Sequence, residues 1–214
     1  MQQQEKNKAL ALKWKNAWAI NQFRTKTIIG SILLSIVLVS FPRFFALIEM
    51  RKGIVLEDYL LDQIPSADLS IPIFIIIWGT ALLLLNRLIK DPAIFLQFLL
   101  SFLVLCISRI ISIWLVQLDP PIGLIPLNDP VTSIFYGGKN VFIQKDLFYS
   151  GHTATQFLMF LTLKKRNEKI ITGITTLLIA ILVLIQHVHY TIDVLAAFPL
   201  TLLVYFVGKK IATY

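Results

Sequence analysis

Residues 146–163 read DLFYSGHTATQFLMFLTL and place His152 near the start of an apolar run that a lipid bilayer could accommodate. A second stretch, HVHYTIDVLAAF at 187–198, repeats this arrangement with His189 and, four positions later, Asp193. Ionisable side chains are costly inside a membrane segment and usually mark a functional site there. The two stretches therefore predict a membrane-embedded protein with its site where these side chains meet.

The composition supports a membrane protein. Hydrophobic residues make up 57% of the 214 positions and charged residues only 15%, whereas soluble domains have about 45–50% and about 25%. The net charge of +8 lies in short basic clusters between apolar runs. Such clusters are typical of membrane topology signals, so we expect no nucleic-acid partner. Cys106 is the only cysteine, which excludes an intrachain disulfide, and it is best read as a small buried hydrophobe.

Apolar runs of about 17–25 residues predict the spans of an all-α bundle of six transmembrane helices. The predicted spans are 27–47, with Pro42 near its end, 71–89, 93–117, 147–163, 170–186 and 189–208. They form a catalytic membrane domain over 27–208, preceded by a basic segment, 1–26, and followed by a short tail, 209–214. Leu10, Trp14 and Trp18 share one side of the basic segment. This segment is either an interfacial helix or a solvated tail that only fixes orientation.

The distribution of Lys and Arg predicts the orientation. Fourteen basic residues lie in the N-terminal segment, the loops after the second and fourth spans, and the C-terminal end. Five lie on the other side, and they are Arg43, Arg51, Lys52, Lys139 and Lys145. Both termini are therefore predicted to be cytoplasmic. His152 and His189 then lie at the non-cytoplasmic face, and Arg109, inside the third span, approaches them from below.

His189 and Asp193 are spaced i and i+4, so they share one face of a helix. The carboxylate can then accept a hydrogen bond from one ring nitrogen, which fixes the tautomer and raises the basicity of the other nitrogen. A histidine held in this way can act as a base, a metal ligand or a nucleophile. We select the pair as catalytic.

The sequence SGHT supplies the second part of the predicted site. Ser150, Gly151 and Thr153 surround His152 at a predicted helix start, where free N–H groups favour an anion such as phosphate. His152 could donate a proton to a group leaving that phosphate. Arg109 suits phosphate by its fork geometry. Alternatively, Arg109 forms a structural pair with a carboxylate such as Asp146 or Asp193.

The assembled parts predict phosphoryl or phosphodiester transfer through a phosphohistidine. Cationic groups can stabilise the phosphoryl oxygens, so this chemistry needs no metal or other cofactor. His187 and His189 might suggest a metal site, but they point to different helix faces and lack completing ligands. We therefore predict no metal site and place His187 at the membrane interface.

The two motifs, DLFYSGHTATQFL and HVHYTIDVLAAF, resemble the signatures of the sphingomyelin synthase family, within the type-2 phosphatidic acid phosphatase superfamily. Two further stretches, SRIISIWLVQLDPP (108–121) and LEDYLLDQIP (56–65), resemble that family's arginine-bearing third span and acidic first outer loop. The resemblance covers about 50–208. The broader superfamily has a Lys-x6-Arg-Pro element that is missing here, which favours the synthase branch.

The resemblance implies that His189 attacks phosphorus, Asp193 orients it, and His152 serves as acid and then base, with Arg109 near the head group. The expected partners are a membrane phospholipid donor, the bilayer, and a lipid acceptor with a free hydroxyl, such as ceramide or diacylglycerol. The alternative is a lipid phosphatase or head-group hydrolase that uses water as acceptor. A remote alternative is a non-catalytic lipid-binding membrane protein.

Overall fold

The computed structural model describes residues 2–127 and 143–213. Over these ranges the chain forms seven α-helices, one 3-10 turn at Leu61–Gln63 and no β-strand, so the predicted all-α architecture is confirmed there. The helices are α1 (Gln2–Ala19), α2 (Asn21–Glu49), α3 (Ser70–Lys90), α4 (Pro92–Leu115), α5 (Gly151–Thr162), α6 (Arg166–Ile185) and α7 (Thr191–Ala212).

Five helices, α2, α3, α4, α6 and α7, are long and apolar enough to cross a membrane. Their outward faces carry large apolar side chains that are open to the surroundings. Ile36 on α2, for example, is 60% exposed and Val39 is 77% exposed. A continuous apolar surface of this kind is unusual on a soluble monomer and suits contact with lipid. The chain is therefore a multi-pass membrane protein.

The fourth predicted span, 147–163, corresponds to the short helix α5, which has 12 residues. At 1.5 Å per residue, such a helix covers only about 18 Å of a hydrocarbon core about 30 Å thick. The helix begins late because Ser150 is its N-cap, and residues 147–150 are not helical, with a bend at Phe148 and Tyr149. Six spans and cytoplasmic termini therefore stay predictions. Lys139, which entered the charge count, lies outside the described residues.

The N-terminal helix α1 contacts the bundle through one face. Trp14 Nε1 donates a 2.7 Å hydrogen bond to the backbone oxygen of Ile89, and its ring packs edge-on against Phe95 with the centroids 5.4 Å apart. Leu12 and Trp18 remain exposed. Only Ile20 separates α1 from α2, which begins at Asn21. The predicted basic segment 1–26 therefore contains all of α1 and the first residues of α2.

Helix α4 packs along α7 in the centre of the bundle. Asp91 and Pro92 define its start, because the Asp91 carboxylate accepts hydrogen bonds from the backbone N–H groups of Ala93 and Ile94. Gly208 of α7 lies directly on Ser101, and a Cβ at Gly208 would lie 2.2 Å from Ser101 Oγ. A small residue is required for this close approach. The end of the bundle at which α4 ends and α5 and α7 begin is called the site end.

Candidate active site

His189 and Asp193 form a hydrogen-bonded pair at the start of α7. His189 Nδ1 lies 3.4 Å from Asp193 Oδ2, and no described residue hydrogen-bonds to Nε2. Both side chains are buried, with His189 3% exposed and Asp193 0% exposed. The prediction placed His189 in the helix, but α7 begins at Thr191. Asp193, in the first turn, reaches back to a histidine just outside the helix.

The Asp193 carboxylate is held by the helix start. Its Oδ2 also accepts a 3.1 Å hydrogen bond from the backbone N–H of Tyr190, the N-cap residue of α7. A carboxylate in the first turn is further stabilised by the helix dipole. The backbone oxygen of Asp193 accepts a 3.0 Å hydrogen bond from the N–H of Ser150. This contact ties the start of α7 to the start of α5.

The start of α5 is capped by its own side chains. Ser150 Oγ accepts a hydrogen bond from the N–H of Thr153 at 3.4 Å and donates to Thr153 Oγ1 at 3.1 Å. Both residues are fully buried. The side chains of Ser150 and Thr153, both predicted to bind phosphate, are therefore hydrogen-bonded to each other. In the described chain, no group accepts a hydrogen bond from the N–H of Gly151 or His152, and such first-turn N–H groups are suited to an anion.

His152 lies beside His189. Their ring centroids are 6.3 Å apart with an interplanar angle of 63°, although His152 is in α5 and His189 just precedes α7. The Nδ1 atom of His152 is buried and has no hydrogen-bond partner among the described residues. Two imidazoles therefore face one small region between α5 and α7, and only His189 is braced by a carboxylate.

Arg109 of α4 forms an ion pair with Asp146. Arg109 Nη2 lies 2.6 Å from Asp146 Oδ1, and Arg109 Nε donates a 3.1 Å hydrogen bond to the backbone oxygen of Tyr149. Of the two predicted alternatives, the structure has the carboxylate pair, with Asp146 rather than Asp193 as partner. No described residue accepts a hydrogen bond from Nη1, so one donor edge of the guanidinium is unused.

Arg109 also lies against Gly151. A Cβ built on Gly151 would lie 2.4 Å from Arg109 Nη1 and 2.6 Å from Cζ, which only a glycine permits. The unused edge of the guanidinium therefore faces the first residue of α5, next to the free N–H groups there. Arg109, Gly151, His152 and the His189–Asp193 pair thus lie together at the site end.

Asp58 is a site residue that the sequence did not single out. Its Oδ2 accepts a 2.6 Å hydrogen bond from the N–H of Thr191, and its Oδ1 accepts one from the Thr191 hydroxyl at 2.9 Å. Asp58 therefore caps α7 from a loop 133 residues earlier. Partial burial raises the pKa of Asp58, but the hydrogen bonds from Thr191 and Leu61 outweigh it, so the pKa lies below its ordinary value.

His187 belongs to the loops and not to the catalytic cluster. Its Nδ1 lies 2.9 Å from the backbone oxygen of Ile122 and its Nε2 lies 2.8 Å from that of Ile64. The residue is buried and has a positive φ of 55° in the turn between α6 and α7. Within residues 2–127 and 143–213, no group of three or more His, Cys, Asp or Glu side chains is arranged to hold a metal ion.

Residues 145–210 match the family model described as PAP2 superfamily C-terminal. The matched segment contains Asp146, the SGHT motif, His189 and Asp193, but not Arg109. No curated protein matches the chain. The match supports the type-2 phosphatidic acid phosphatase superfamily and an enzyme of the lipid phosphatase or phosphotransferase kind.

Proposed function

We propose that this protein is a lipid phosphotransferase of the sphingomyelin synthase type, which moves a phosphorylated head group between membrane lipids. The observation that carries the proposal is the meeting of a carboxylate-braced histidine with a second histidine, 6.3 Å apart at their centroids. This geometry suits a nucleophile and an acid–base group acting on the same phosphorus.

In the first half-reaction, His189 Nε2 attacks the donor phosphorus and forms an N–P bond. The P–O bond to the donor's lipid alcohol breaks, and His152 gives that oxygen its proton. Asp193 holds Nδ1–H and stabilises the positive charge that develops on the His189 ring, as the aspartate of a serine-protease triad does for its histidine.

In the second half-reaction, His152 removes the proton from the acceptor hydroxyl. The acceptor oxygen forms a new P–O bond, the N–P bond breaks, and His189 is restored as the neutral ring. Arg109 Nη1 and the N–H groups of Gly151 and His152 supply hydrogen bonds to the phosphoryl oxygens. Asp146 holds Arg109 in this position through the 2.6 Å ion pair.

Burial of the His189–Asp193 pair favours a lipid acceptor over water. His189 and Asp193 are almost fully enclosed, and a phosphohistidine formed there is sheltered from bulk solvent. We also propose the six-span topology, with α5 as the fourth span, cytoplasmic termini and the site on the non-cytoplasmic face. Its domain boundaries are 27–208 for the catalytic membrane domain, 1–26 for the basic segment and 209–214 for the tail.

The test uses purified protein in detergent with a phospholipid labelled in its head group, with and without ceramide or diacylglycerol. We expect label on the acceptor lipid, and none with His189→Ala. Label that appears only in a water-soluble product would identify a hydrolase and overturn the transferase proposal. Equal inactivity of wild type and variant across a panel of phospholipid donors would support the non-catalytic alternative.

A further inference from the structure

A groove of about 820 Å³ lies between α5, α6 and α7 at the end of the bundle opposite to the site end. Pockets of about 300–1,000 Å³ are the usual size of small-molecule sites. The basic end of the groove is remote from His152, because Lys164 follows His152 by twelve residues, about 18 Å along a helix. The apolar end, at Phe157, lies about 7.5 Å along α5 from His152. The basic end therefore needs an explanation other than the transfer reaction.

One wall of the groove is aromatic. Phe157 stacks on Phe160 with centroids 5.8 Å apart and meets Phe198 of α7 edge-on at 5.1 Å. Gly173 of α6 leaves space in the groove, because a Cβ at this position would lie 3.3 Å from the Phe160 ring. The groove therefore has apolar walls, and a larger side chain at position 173 would fill it.

The groove opens onto the lipid-facing side of α6. Ile170, Ile174 and Leu177 line it at helical spacing and are 51%, 55% and 60% exposed. An acyl chain lying along this row would pass from the bilayer into the groove without leaving apolar surroundings.

Three cations stand at one end of the groove, and they are Lys164, Arg166 and Lys169. None of them has a carboxylate oxygen within 4 Å in the described chain, and Lys169 Nζ lies over the Phe160 ring at 5.0 Å. The neighbouring Glu168 pairs instead with Arg87 of α3 at 3.7 Å. Positive charge at the mouth of an apolar groove is complementary to a phosphate attached to an acyl chain.

We propose that this groove binds an anionic phospholipid of the surrounding bilayer, with its phosphate on Lys164, Arg166 and Lys169 and an acyl chain along Ile174 and Leu177. Basic pockets between transmembrane helices recognise anionic head groups in this way. With the predicted orientation the cations face the cytoplasmic leaflet. The groove is thus a lipid site separate from the one where the reaction takes place.

The test measures binding of phosphatidylglycerol and of phosphatidylcholine with the same acyl chains to the full chain in a neutral detergent. Two variants report on the groove: Lys164→Gln/Arg166→Gln/Lys169→Gln removes its charge, and Gly173→Leu fills it while keeping the charge. The matched control, Lys8→Gln/Lys13→Gln/Lys15→Gln, removes three exposed cations from α1.

We expect phosphatidylglycerol to bind at least about tenfold more tightly than phosphatidylcholine, since each nearby cation contributes about fivefold. Both groove variants lose this preference, and the control keeps it. Equal affinity for the two lipids would overturn the proposal, as would equal loss in the control, which would indicate a diffuse surface effect. Unchanged binding in Gly173→Leu would also overturn it, because that variant keeps every charge.

Discussion

Asp58 holds the first residue of α7 through two hydrogen bonds, one from the N–H and one from the hydroxyl of Thr191. Asp193 lies two residues further along the same helical turn and braces His189. Asp58 therefore fixes the turn from which the Asp193 carboxylate reaches His189, the proposed nucleophile. The loop that carries Asp58 also donates to Tyr190, because the backbone N–H of Leu56 donates a 3.1 Å hydrogen bond to Tyr190 Oη.

Asp58→Asn replaces one of the carboxylate oxygens that accept from Thr191 by an amide group, and we expect a loss of about 1–2 kcal/mol in unfolding free energy, which is typical of a lost hydrogen bond to a charged group. It should also lower kcat more than it raises KM, since Asp58 acts through Asp193 and not through substrate. Thermal unfolding and steady-state transfer assays check both effects. Asp62→Asn is the matched control, because Asp62 is exposed in the same loop. An effect of equal size in the control would contradict the positioning role.

The depressed pKa of Asp58 gives a pH dependence. A carboxyl group whose folded pKa lies below its unfolded value stabilises the fold above the unfolded value, and the contribution is lost as pH falls through the folded pKa. The ordinary value is about 3.9. We expect the melting-temperature difference between wild type and Asp58→Asn to narrow as the pH falls below about 3.9, toward the lowered pKa of Asp58 in the folded protein. A difference that stays constant over this range would show that ionised Asp58 is not the stabilising group.

Five of the six predicted spans coincide with long apolar helices, because apolar runs alone decide these helices. The start of the fourth span could not be predicted in this way. Residues 147–150 are as apolar as the helix that follows, yet they are not helical, because Phe148 has a positive φ of 44° and the backbone oxygen of Tyr149 accepts a hydrogen bond from Arg109 Nε. The same holds for the acidic stretch 56–65, in which Glu57, Asp58 and Asp62 are equivalent candidates by sequence alone. Only the folded chain shows that Asp58 is the carboxylate that contacts Thr191.

Gly151→Ala should disrupt the site, because a Cβ would lie 2.4 Å from Arg109 Nη1. We expect the guanidinium to move away from the start of α5, with a fall in transfer rate and little change in helix content. Gly79→Ala is the matched control, since a Cβ at Gly79 of α3 meets nothing within 4 Å. It should be neutral or slightly stabilising. Full activity in Gly151→Ala would contradict the placement of Arg109 against this residue.

A double-mutant cycle can separate the contributions of Arg109 and Asp146 to stability and to activity. Arg109→Gln and Asp146→Asn should each lower the melting temperature, and the double variant should lose less than the sum, because they break the same ion pair. Transfer activity should fall further in Arg109→Gln than in Asp146→Asn, since in the proposed mechanism Arg109 and not Asp146 binds the phosphoryl group. Equal activity losses in the two single variants would restrict Arg109 to a structural role.

His152→Ala should reduce the transfer rate by about 10²–10⁴, the usual contribution of a general acid–base group. The loss should be smaller for a donor whose leaving alcohol is more acidic, because that alcohol needs less help from a proton donor. A series of donors with different leaving groups checks this dependence. If His152→Ala slows all donors by the same factor, His152 does not protonate the leaving oxygen.

The central claim is that His189 carries the phosphorylated head group during transfer. It is tested most directly by mixing the protein with head-group-labelled phospholipid in the absence of acceptor, quenching in alkali and locating the label by peptide mass spectrometry. We predict an acid-labile adduct on the peptide that contains His189, absent from His189→Gln and lost from wild type when acceptor lipid is added. Transfer that continues in His189→Gln, or turnover without any adduct at this histidine, would contradict the account.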